Sequence, residues 1–226
     1  IFGIMGIIGM VASTEQSKNV EDNSVLVLNM TGTLSERAES NPFSDIMGKV
    51  AKSNGLDDIL KAIEKAKDND KIKGIYIEAG LFSPDSYASL QAIRRALSDF
   101  KKSGKWIVAY GDSYTQGVYY LASVADKLYI NPQGQIDWHG IAAERMYMKD
   151  LMAKFGVKMQ VTKVGTYKSA TEQFTNDKMS DADREQTTAI INGVWKNVVN
   201  EVAASRKLTA AKLNSYADSL ITFAST

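Results

Sequence analysis

The feature that most constrains the fold is an alternation between short apolar runs and longer stretches with helical periodicity. The short runs have the length and β-branched content of buried strands; they are residues 25–30, 72–79, 106–110, 127–130 and 158–163. The longer stretches suit helices, most of them amphipathic; they are residues 56–66, 87–102, 117–125, 147–155, 180–206 and 209–220. Strands separated by helices of this length favour right-handed βαβ crossovers. The sequence therefore predicts an α/β fold with a mostly parallel sheet flanked by helices.

Composition excludes several classes of function. The chain has 226 residues and is 44% apolar, which is enough for one large domain. Its 27 basic residues balance 26 acidic ones, so no basic surface suggests a nucleic-acid partner. Cysteine is absent and His139 is the single histidine. A cysteine nucleophile, a thiolate metal site and a histidine-rich metal site are therefore excluded.

The first residues, 1–12, form an apolar run with no initiator Met and no preceding charge. A spanning helix needs about 20 apolar residues, so the run fits the distal end of a membrane anchor. The end of a cleaved secretory signal is the competing interpretation. The polar residues 13–24 then suit a tether, and residues 25–226 are predicted to form the domain.

A first candidate site is the strand-to-helix turn at residues 111–117, a kind of turn that can expose a nucleophile. The nucleophile-elbow pattern needs a glycine two residues after Ser113, where Thr115 stands instead. Capping of the following helix is the favoured interpretation of both hydroxyls. A triad would require Ser113, His139 and Asp137 to converge, and a structural or surface role for His139 is favoured over it.

Two further groups of residues could carry chemistry. The acidic cluster of Asp177, Asp181, Asp183 and Glu185 offers hard-metal ligands, but no calcium-loop pattern accompanies it, and a charged helix entrance explains it better. Lys168 follows a predicted strand and a Gly-Thr turn. A lysine serves as general base only where burial or nearby positive charge lowers its pKa, and spacing alone does not single out Lys168 among the basic residues.

Two motifs carry a resemblance to a known family. They are VGTYKSATEQF at residues 164–174 and GDSYTQGVYYLASVADKLYINPQGQIDWHG at residues 111–140. From about Val25 onward, the chain resembles the N-terminal half of the long form of the signal peptide peptidase A family, also called protease IV, in the ClpP/crotonase superfamily. The resemblance implies two related α/β domains in one chain and a Ser-Lys dyad, with the lysine in the N-terminal domain and the serine in the C-terminal one.

Carried over by motif, Lys168 in G-T-Y-K-S matches the general base of that family. In that family, the serine of the C-terminal domain lies in an A-S-G-G-Y turn. Gln116 stands at the corresponding position of this chain. A glutamine amide cannot attack a peptide carbonyl, so the chain lacks the nucleophile and is expected to be inactive alone. Tyr167 and Ser169 are candidates for orienting the lysine. The resemblance implies no cofactor, and it leaves the oxyanion donors outside this chain.

The resemblance also implies substrates, partners and a location. The expected substrates are residual signal peptides and other apolar peptides, and the expected partners are the protein's own C-terminal domain and further copies in a homotetramer. The expected location is the inner membrane, reached by a single-pass N-terminal anchor, with the catalytic domain on the periplasmic side. Two alternatives stay open: a crotonase-type acyl-CoA enzyme, and a non-catalytic scaffold domain of a membrane-side assembly.

Overall fold

The structure, a computed structural model, describes residues 20–37 and 53–219. It divides into two units. One, here called the sheet unit, comprises the described residues up to His139 and from Val202 onward. The other, here called the lysine unit, is Gly140–Glu201 and contains Lys168. The predicted anchor at residues 1–12 lies outside the described residues, as does most of the predicted tether.

Five parallel strands form one sheet in the sheet unit. They are β1 (Ser24–Ser35), β2 (Ser53–Gly55), β3 (Ile72–Ser83), β4 (Trp106–Tyr114) and β5 (Lys127–Ile136). Their order across the sheet is β2-β1-β3-β4-β5, and every adjacent pair is parallel. The prediction of an α/β fold with a mostly parallel sheet is therefore confirmed.

Helices occupy all six stretches that periodicity predicted. They are α1 (Leu56–Asp68), α2 (Tyr87–Lys101), α3 (Gln116–Ala122), α4 (Lys149–Lys154), α6 (Asp181–Arg206) and α7 (Ala210–Asp218). A short helix not predicted from the sequence, α5, spans Glu172–Thr175. Thr115 and Thr209 cap α3 and α7 by accepting a hydrogen bond from a backbone N–H of the first turn.

The hydrophobic core lies in the sheet unit, between the sheet and its helices. Alternating residues of the central strands point into it, among them Leu28, Ile75 and Ile107, each with no exposed surface. The helices supply side chains at helical spacing that are at most 2% exposed: Ile59, Ile63, Leu90, Ile93, Leu97 and Phe100. Burying such a side chain contributes about 1.5–3 kcal/mol, so this layer stabilises the α/β arrangement.

The predicted strand at residues 158–163 is wrong, because this segment of the lysine unit has no regular secondary structure. Its apolar and polar residues alternate as in a strand, which is why the pattern suggested one. A strand forms only where a neighbour accepts and donates its backbone hydrogen bonds. All five described strands pair within the sheet unit, and none pairs with this segment.

Apolar residues recur at helical spacing between positions 190 and 202 of the predicted helix α6, and they are buried only toward its C-terminal end. Val198, Val199 and Val202 are at most 2% exposed, whereas Ile190 is 61% exposed. Periodicity identified the helix but did not determine how much of its apolar face is covered.

The predicted single-pass location in the inner membrane requires correction. Across residues 20–37 and 53–219, no helix has both the length and the apolar character needed to cross a bilayer. The longest helix, α6, has 26 residues, but charged side chains occur along it from Asp181 to Arg206. Because each charge at the bilayer centre is costly, length alone does not make a spanning helix.

Candidate active site

Lys168 lies in a loop of the lysine unit that begins at Gly165 and leads into α5. Gly165 has a φ of +101°, in the left-handed region that favours glycine, and this lets the chain turn before the lysine. Lys168 is exposed and lines a cleft of about 530 Å³. The residues around this cleft are Arg145, Val161, Thr162, Lys163, Val164, Tyr167, Lys168, Ser169, Ala170, Thr171 and Gln186.

Three cations line the cleft, and two of them have acidic partners. Arg145 Nη1 lies 2.8 Å from Asp183 Oδ2, and the Asp183 side chain is fully buried. Lys163 Nζ lies 3.5 Å from Glu172 Oε1, and the Glu172 side chain is 3% exposed. Within the described part of the chain, Lys168 has no hydrogen bond or ion pair. Among the three cations of the cleft, Lys168 is therefore the one that is not paired with a carboxylate.

The residues on either side of Lys168 hold the loop in different ways. The Tyr167 hydroxyl donates a hydrogen bond of 3.0 Å to Glu185 Oε2, and this carboxylate raises the pKa of Tyr167 above its ordinary value. Ser169 is 6% exposed, and its carbonyl accepts a hydrogen bond of 2.9 Å from the Glu172 backbone N–H. Both contacts fit the prediction that Tyr167 and Ser169 orient the lysine, which stays a prediction.

Gln116 begins α3 in the sheet unit and is only 4% exposed. Its side-chain amide donates a 2.8 Å hydrogen bond to the Tyr87 hydroxyl and accepts one of 3.0 Å from the His139 backbone N–H. Both ends of the amide are thus used to join α3 to α2 and to the segment after β5. The Gln116 side chain therefore has a structural role. Its turn corresponds to the turn of the C-terminal half that, by the resemblance, carries the nucleophile.

The alternative triad of Ser113, His139 and Asp137 is only partly assembled. His139 Nε2 lies 3.3 Å from Asp137 Oδ2, with both side chains about half exposed. Ser113 belongs to β4 and pairs with Gln135 of β5. The described residues show no hydrogen bond between Ser113 and His139. A triad hydrogen-bond chain is therefore not formed.

The acidic cluster is distributed over separate contacts. Asp177 pairs with Lys149 at 2.9 Å, Asp183 pairs with Arg145, and Glu185 accepts from Tyr167. Asp183 and Asp181 lie in the first turn of α6, where the helix dipole favours negative charge. Among the described residues, no three His, Cys, Asp or Glu side chains are grouped as they would be around a metal ion.

Sequence reasoning missed two residues of the site: Arg145, which lines the cleft, and Glu172, whose carboxylate pairs with the cleft residue Lys163. Arg145 lies in a segment without regular structure, 23 positions before Lys168, where no motif or periodicity indicates it. Glu172 stands inside the motif that identified Lys168, but a local pattern does not indicate that a carboxylate is buried. Only the contacts with Lys163 and Ser180 reveal it.

Comparison with known families identifies the chain. The profile of peptidase family S49 matches residues 99–225, which is more than half of the chain and includes both Gln116 and Lys168. The chain therefore belongs to peptidase family S49.

Individual proteins of known sequence support this assignment. Protease 4 of Salmonella typhi is 36% identical over 97% of this chain and 36% of its own length, and Protease 4 of Haemophilus influenzae is 33% identical over 91% of this chain and 34% of its own length. The chloroplastic serine protease SPPA of Arabidopsis thaliana is 25% identical over 82% of this chain and 26% of its own length. The chain thus spans about a third of the length of the Protease 4 relatives.

Solved structures with a similar arrangement come from two classes of protein. A variant of the 1510-N membrane-bound stomatin-specific protease is 13% identical, covers 89% of this chain and 73% of that chain, and has a TM-score of 0.48. An enoyl-CoA hydratase/isomerase family protein from Silicibacter pomeroyi is 14% identical, covers 87% of this chain and 94% of that chain, and has a TM-score of 0.33. Neither similarity bears on the reaction that this chain supports.

Proposed function

We propose that this chain is the lysine-bearing half of a serine endopeptidase that degrades residual signal peptides by a Ser-Lys dyad. Lys168 is the general base, and the nucleophilic serine comes from a companion half of the same protein. The observation that carries the proposal is the free amine of Lys168 in the cleft, where both other cations have acidic partners. Membership of family S49 supplies the reaction class.

The chemistry follows from an uncharged lysine next to a hydroxyl. The serine hydroxyl gives its proton to the Lys168 amine and attacks the scissile carbonyl, and the lysine then gives that proton to the departing leaving group as the scissile bond breaks. The amine, uncharged again, activates a water that hydrolyses the acyl-enzyme and releases the serine. Burial and neighbouring positive charge both favour the uncharged form of a lysine. Arg145 and Lys163 in the same cleft are paired with carboxylates, so enclosure of the cleft by a companion, which would remove water, is what would favour the uncharged amine. Backbone N–H groups beside the serine would stabilise the oxyanion.

Three observations support a companion half. The chain spans about a third of the length of its Protease 4 relatives, and the side chain of Gln116 is buried and hydrogen-bonded at both ends. The lysine unit also leaves large apolar side chains exposed, as surfaces that pack against a partner do. These side chains are Met146, Leu151, Phe155, Val157, Met159, Val164, Tyr167 and Ile190.

Apolar peptides are the proposed substrates because the cleft wall carries small and branched apolar side chains. Val161, Val164 and Ala170 are among the lining residues, and neither buried carboxylate lines the cleft. Apolar side chains of an extended peptide next to Lys168 would then meet the apolar part of the wall.

The decisive experiment uses the full-length protein with a short apolar peptide ester as substrate. General acid–base catalysis contributes about 10²–10⁴-fold, so Lys168→Met is expected to lower kcat/KM by that factor. Lys168→Arg is expected to be equally impaired, because a guanidinium does not give up its proton. Lys158→Met, which changes an exposed lysine away from the cleft, is the matched control and is expected to keep full activity. Retained turnover in Lys168→Met would overturn the proposal.

Three further tests address the alternatives and the oligomeric state. The full-length sequence is expected to contain a second α/β half with an A-S-G-G-Y turn, and its absence would favour the scaffold alternative. Calorimetric titration with coenzyme A is expected to show no binding, and binding would favour the crotonase-type alternative. Sedimentation of the full-length protein is expected to show a homotetramer.

A further inference from the structure

Glu172 is a buried carboxylate close to Lys168 that has no part in the proposed chemistry. It lies four residues after the lysine and is 2% exposed. A carboxylate is buried only at a large cost in free energy unless hydrogen bonds or a cation compensate for the lost water. Its position next to the candidate base therefore calls for an explanation from its contacts.

The side chain of Glu172 accepts hydrogen bonds from two different segments. Oε1 accepts from the Ser180 hydroxyl at 2.9 Å and from Lys163 Nζ at 3.5 Å. Oε2 accepts from the Ser180 backbone N–H at 3.3 Å. Lys163 precedes the Lys168 loop, and Ser180 precedes α6, so one carboxylate connects both segments to the start of α5.

The backbone of Glu172 holds the other end of the loop. Its N–H donates to the Ser169 carbonyl at 2.9 Å, one residue after Lys168. The main chain of Glu172 thus holds Ser169, the residue that follows the lysine. The side chain of Glu172 contacts Lys163, in the segment that precedes the loop. The loop from 164 to 171 is anchored at both ends by one residue.

The anchor extends into a long helix. Ser180, which donates to Glu172, also accepts through its hydroxyl from the Asp183 N–H at 3.2 Å and through its carbonyl from the Arg184 N–H at 2.9 Å. These bonds cap the first turn of α6. Through Ser180, Glu172 therefore connects the lysine loop to a regular 26-residue helix rather than to another loop.

The second contact of the loop is weaker. Tyr167 donates to Glu185, but Tyr167 is 52% exposed and the bond lies at the surface. Water competes for an exposed hydrogen bond, whereas the Glu172 carboxylate is almost fully buried, although the Lys163 side chain that it contacts is 45% exposed. Loss of the Glu172 side chain would release the segment that precedes the loop, while the backbone hydrogen bond to Ser169 would remain.

We propose that Glu172 is a positioning residue for Lys168, holding the lysine loop in the geometry that lets its amine reach the serine of the companion half. This inference rests on the proposed function. It assigns Glu172 no proton transfer and no contact with the substrate, so its effect on the reaction passes through Lys168.

The first test measures kcat and KM separately in the full-length protein, on a short apolar peptide ester. Misplacing a catalytic group by 1 Å can cost about 10²-fold, so Glu172→Ala is expected to lower kcat by about that factor with little change in KM. Glu172→Gln is expected to recover part of kcat, because its amide oxygen still accepts from Ser180. Ser180→Ala is expected to lower kcat less than Glu172→Ala does. Glu144→Gln, an exposed change in the same unit, is the matched control.

A purely structural role predicts a different pattern. It would reduce the amount of folded protein in Glu172→Ala without lowering kcat per folded molecule, and Glu172→Gln would not restore kcat selectively. An unchanged kcat per folded molecule, or a loss that appears only in KM, overturns the proposal. Glu172→Gln and Ser180→Ala keep the test decisive if Glu172→Ala does not fold.

The second test separates failure of this inference from failure of the proposed function. Amide hydrogen exchange of peptides covering residues 172–184 is measured in the full-length protein, because the Glu172, Ser180 and Arg184 N–H groups donate hydrogen bonds there. Exchange is expected to be faster in Glu172→Ala than in the wild type and in Glu144→Gln. If the wild type hydrolyses no peptide, the proposed function fails, and faster exchange still upholds the anchoring of the loop by Glu172. Unchanged exchange in the variant overturns that anchoring whether or not the protein is a peptidase.

Discussion

The sheet unit and the lysine unit bury different kinds of side chain. In the sheet unit, the buried set is mostly aliphatic and aromatic, from Leu28 in β1 to Phe100 in α2. In the lysine unit, whose residues are all described, three of the five buried residues are polar: Ser169, Glu172 and Asp183. One unit is therefore organised by apolar packing and the other by buried hydrogen bonds and ion pairs.

This difference explains how the lysine unit, which has few buried apolar side chains, can still hold the residues of its cleft in fixed positions. Apolar packing is non-directional and stabilises a fold, whereas hydrogen bonds depend on geometry and fix particular groups. The lysine unit lacks a large core, yet the walls of its cleft are tied by Asp183 and Glu172 to α6 and α5. The comparison predicts that the two units respond differently to the same kind of perturbation.

The largest expected difference is in backbone amide exchange. The amides of β3 and β4 lie in the centre of the sheet and are expected to exchange only on global unfolding, which costs about 5–15 kcal/mol in typical domains. Residues 158–164 donate no backbone–backbone hydrogen bond within the described chain, so they are expected to exchange within seconds. Exchange measured by mass spectrometry tests this, and slow exchange at 158–164 would mean that the lysine unit is more ordered than its contacts indicate.

A matched pair of phenylalanines tests the energetics of packing. Phe100 is fully buried, and Phe100→Ala is expected to lower the free energy of unfolding by about 3–5 kcal/mol through lost burial and the cavity that remains. Phe155 is 78% exposed, and Phe155→Ala is expected to change it by no more than about 0.5 kcal/mol. Urea unfolding followed by circular dichroism measures both. Equal losses would show that the lysine unit has a core of its own.

A matched pair of glycines is expected to respond with opposite signs. A Cβ at Gly134 would lie 2.0 Å from the Asp112 carbonyl oxygen, so Gly134→Ala is expected to destabilise the sheet unit by about 1–3 kcal/mol. Gly193 lies inside α6 with no atom within 4 Å of an added Cβ, and Gly193→Ala is expected to stabilise the protein by about 0.5–1 kcal/mol. Thermal unfolding of both variants measures the effect. Destabilisation by Gly193→Ala would contradict the open surroundings of this part of α6.

The smallest expected effect concerns a partly exposed ion pair of the sheet unit. The Lys67 ammonium donates a hydrogen bond to Asp99 and holds the pKa of that carboxyl below its ordinary value. A carboxyl with a lowered pKa stabilises the fold above the pKa of the unfolded chain, about 3.9, and this stabilisation is lost as the pH falls through the folded value. Lys67→Met is therefore expected to be slightly less stable than the wild type at pH 7. The difference is expected to shrink in acid and to be lost once Asp99 is protonated in the folded state.

Urea midpoints at neutral and acidic pH measure this effect. Lys61→Met, an exposed change on the same helix, is the matched control and is expected to show no such pH dependence. A difference between Lys67→Met and the wild type that persists unchanged in acid would exclude Asp99 as the titrating partner.

Sequence reasoning was most accurate where the signal is local and repeated. Apolar spacing predicted α1, α2 and α6 close to their observed bounds, because each amphipathic face repeats over several turns. The strand at 158–163 failed for the opposite reason, since its alternation is local but its pairing depends on a neighbour elsewhere in the chain. For the candidate site, motif resemblance indicated Lys168 and Gln116, and nothing in the sequence indicated Arg145.

The alternation of short apolar runs with amphipathic stretches, by itself, determined the α/β class and the parallel sheet, because both follow from periodicity and connection length. The G-T-Y-K-S motif determined which lysine to consider. Tertiary structure alone decided that Glu172 and Asp183 are buried, that they pair with Lys163 and Arg145, and that Lys168 is left with a free amine. The physical reason is that burial and pairing depend on distances between segments far apart in the chain, which local patterns do not encode.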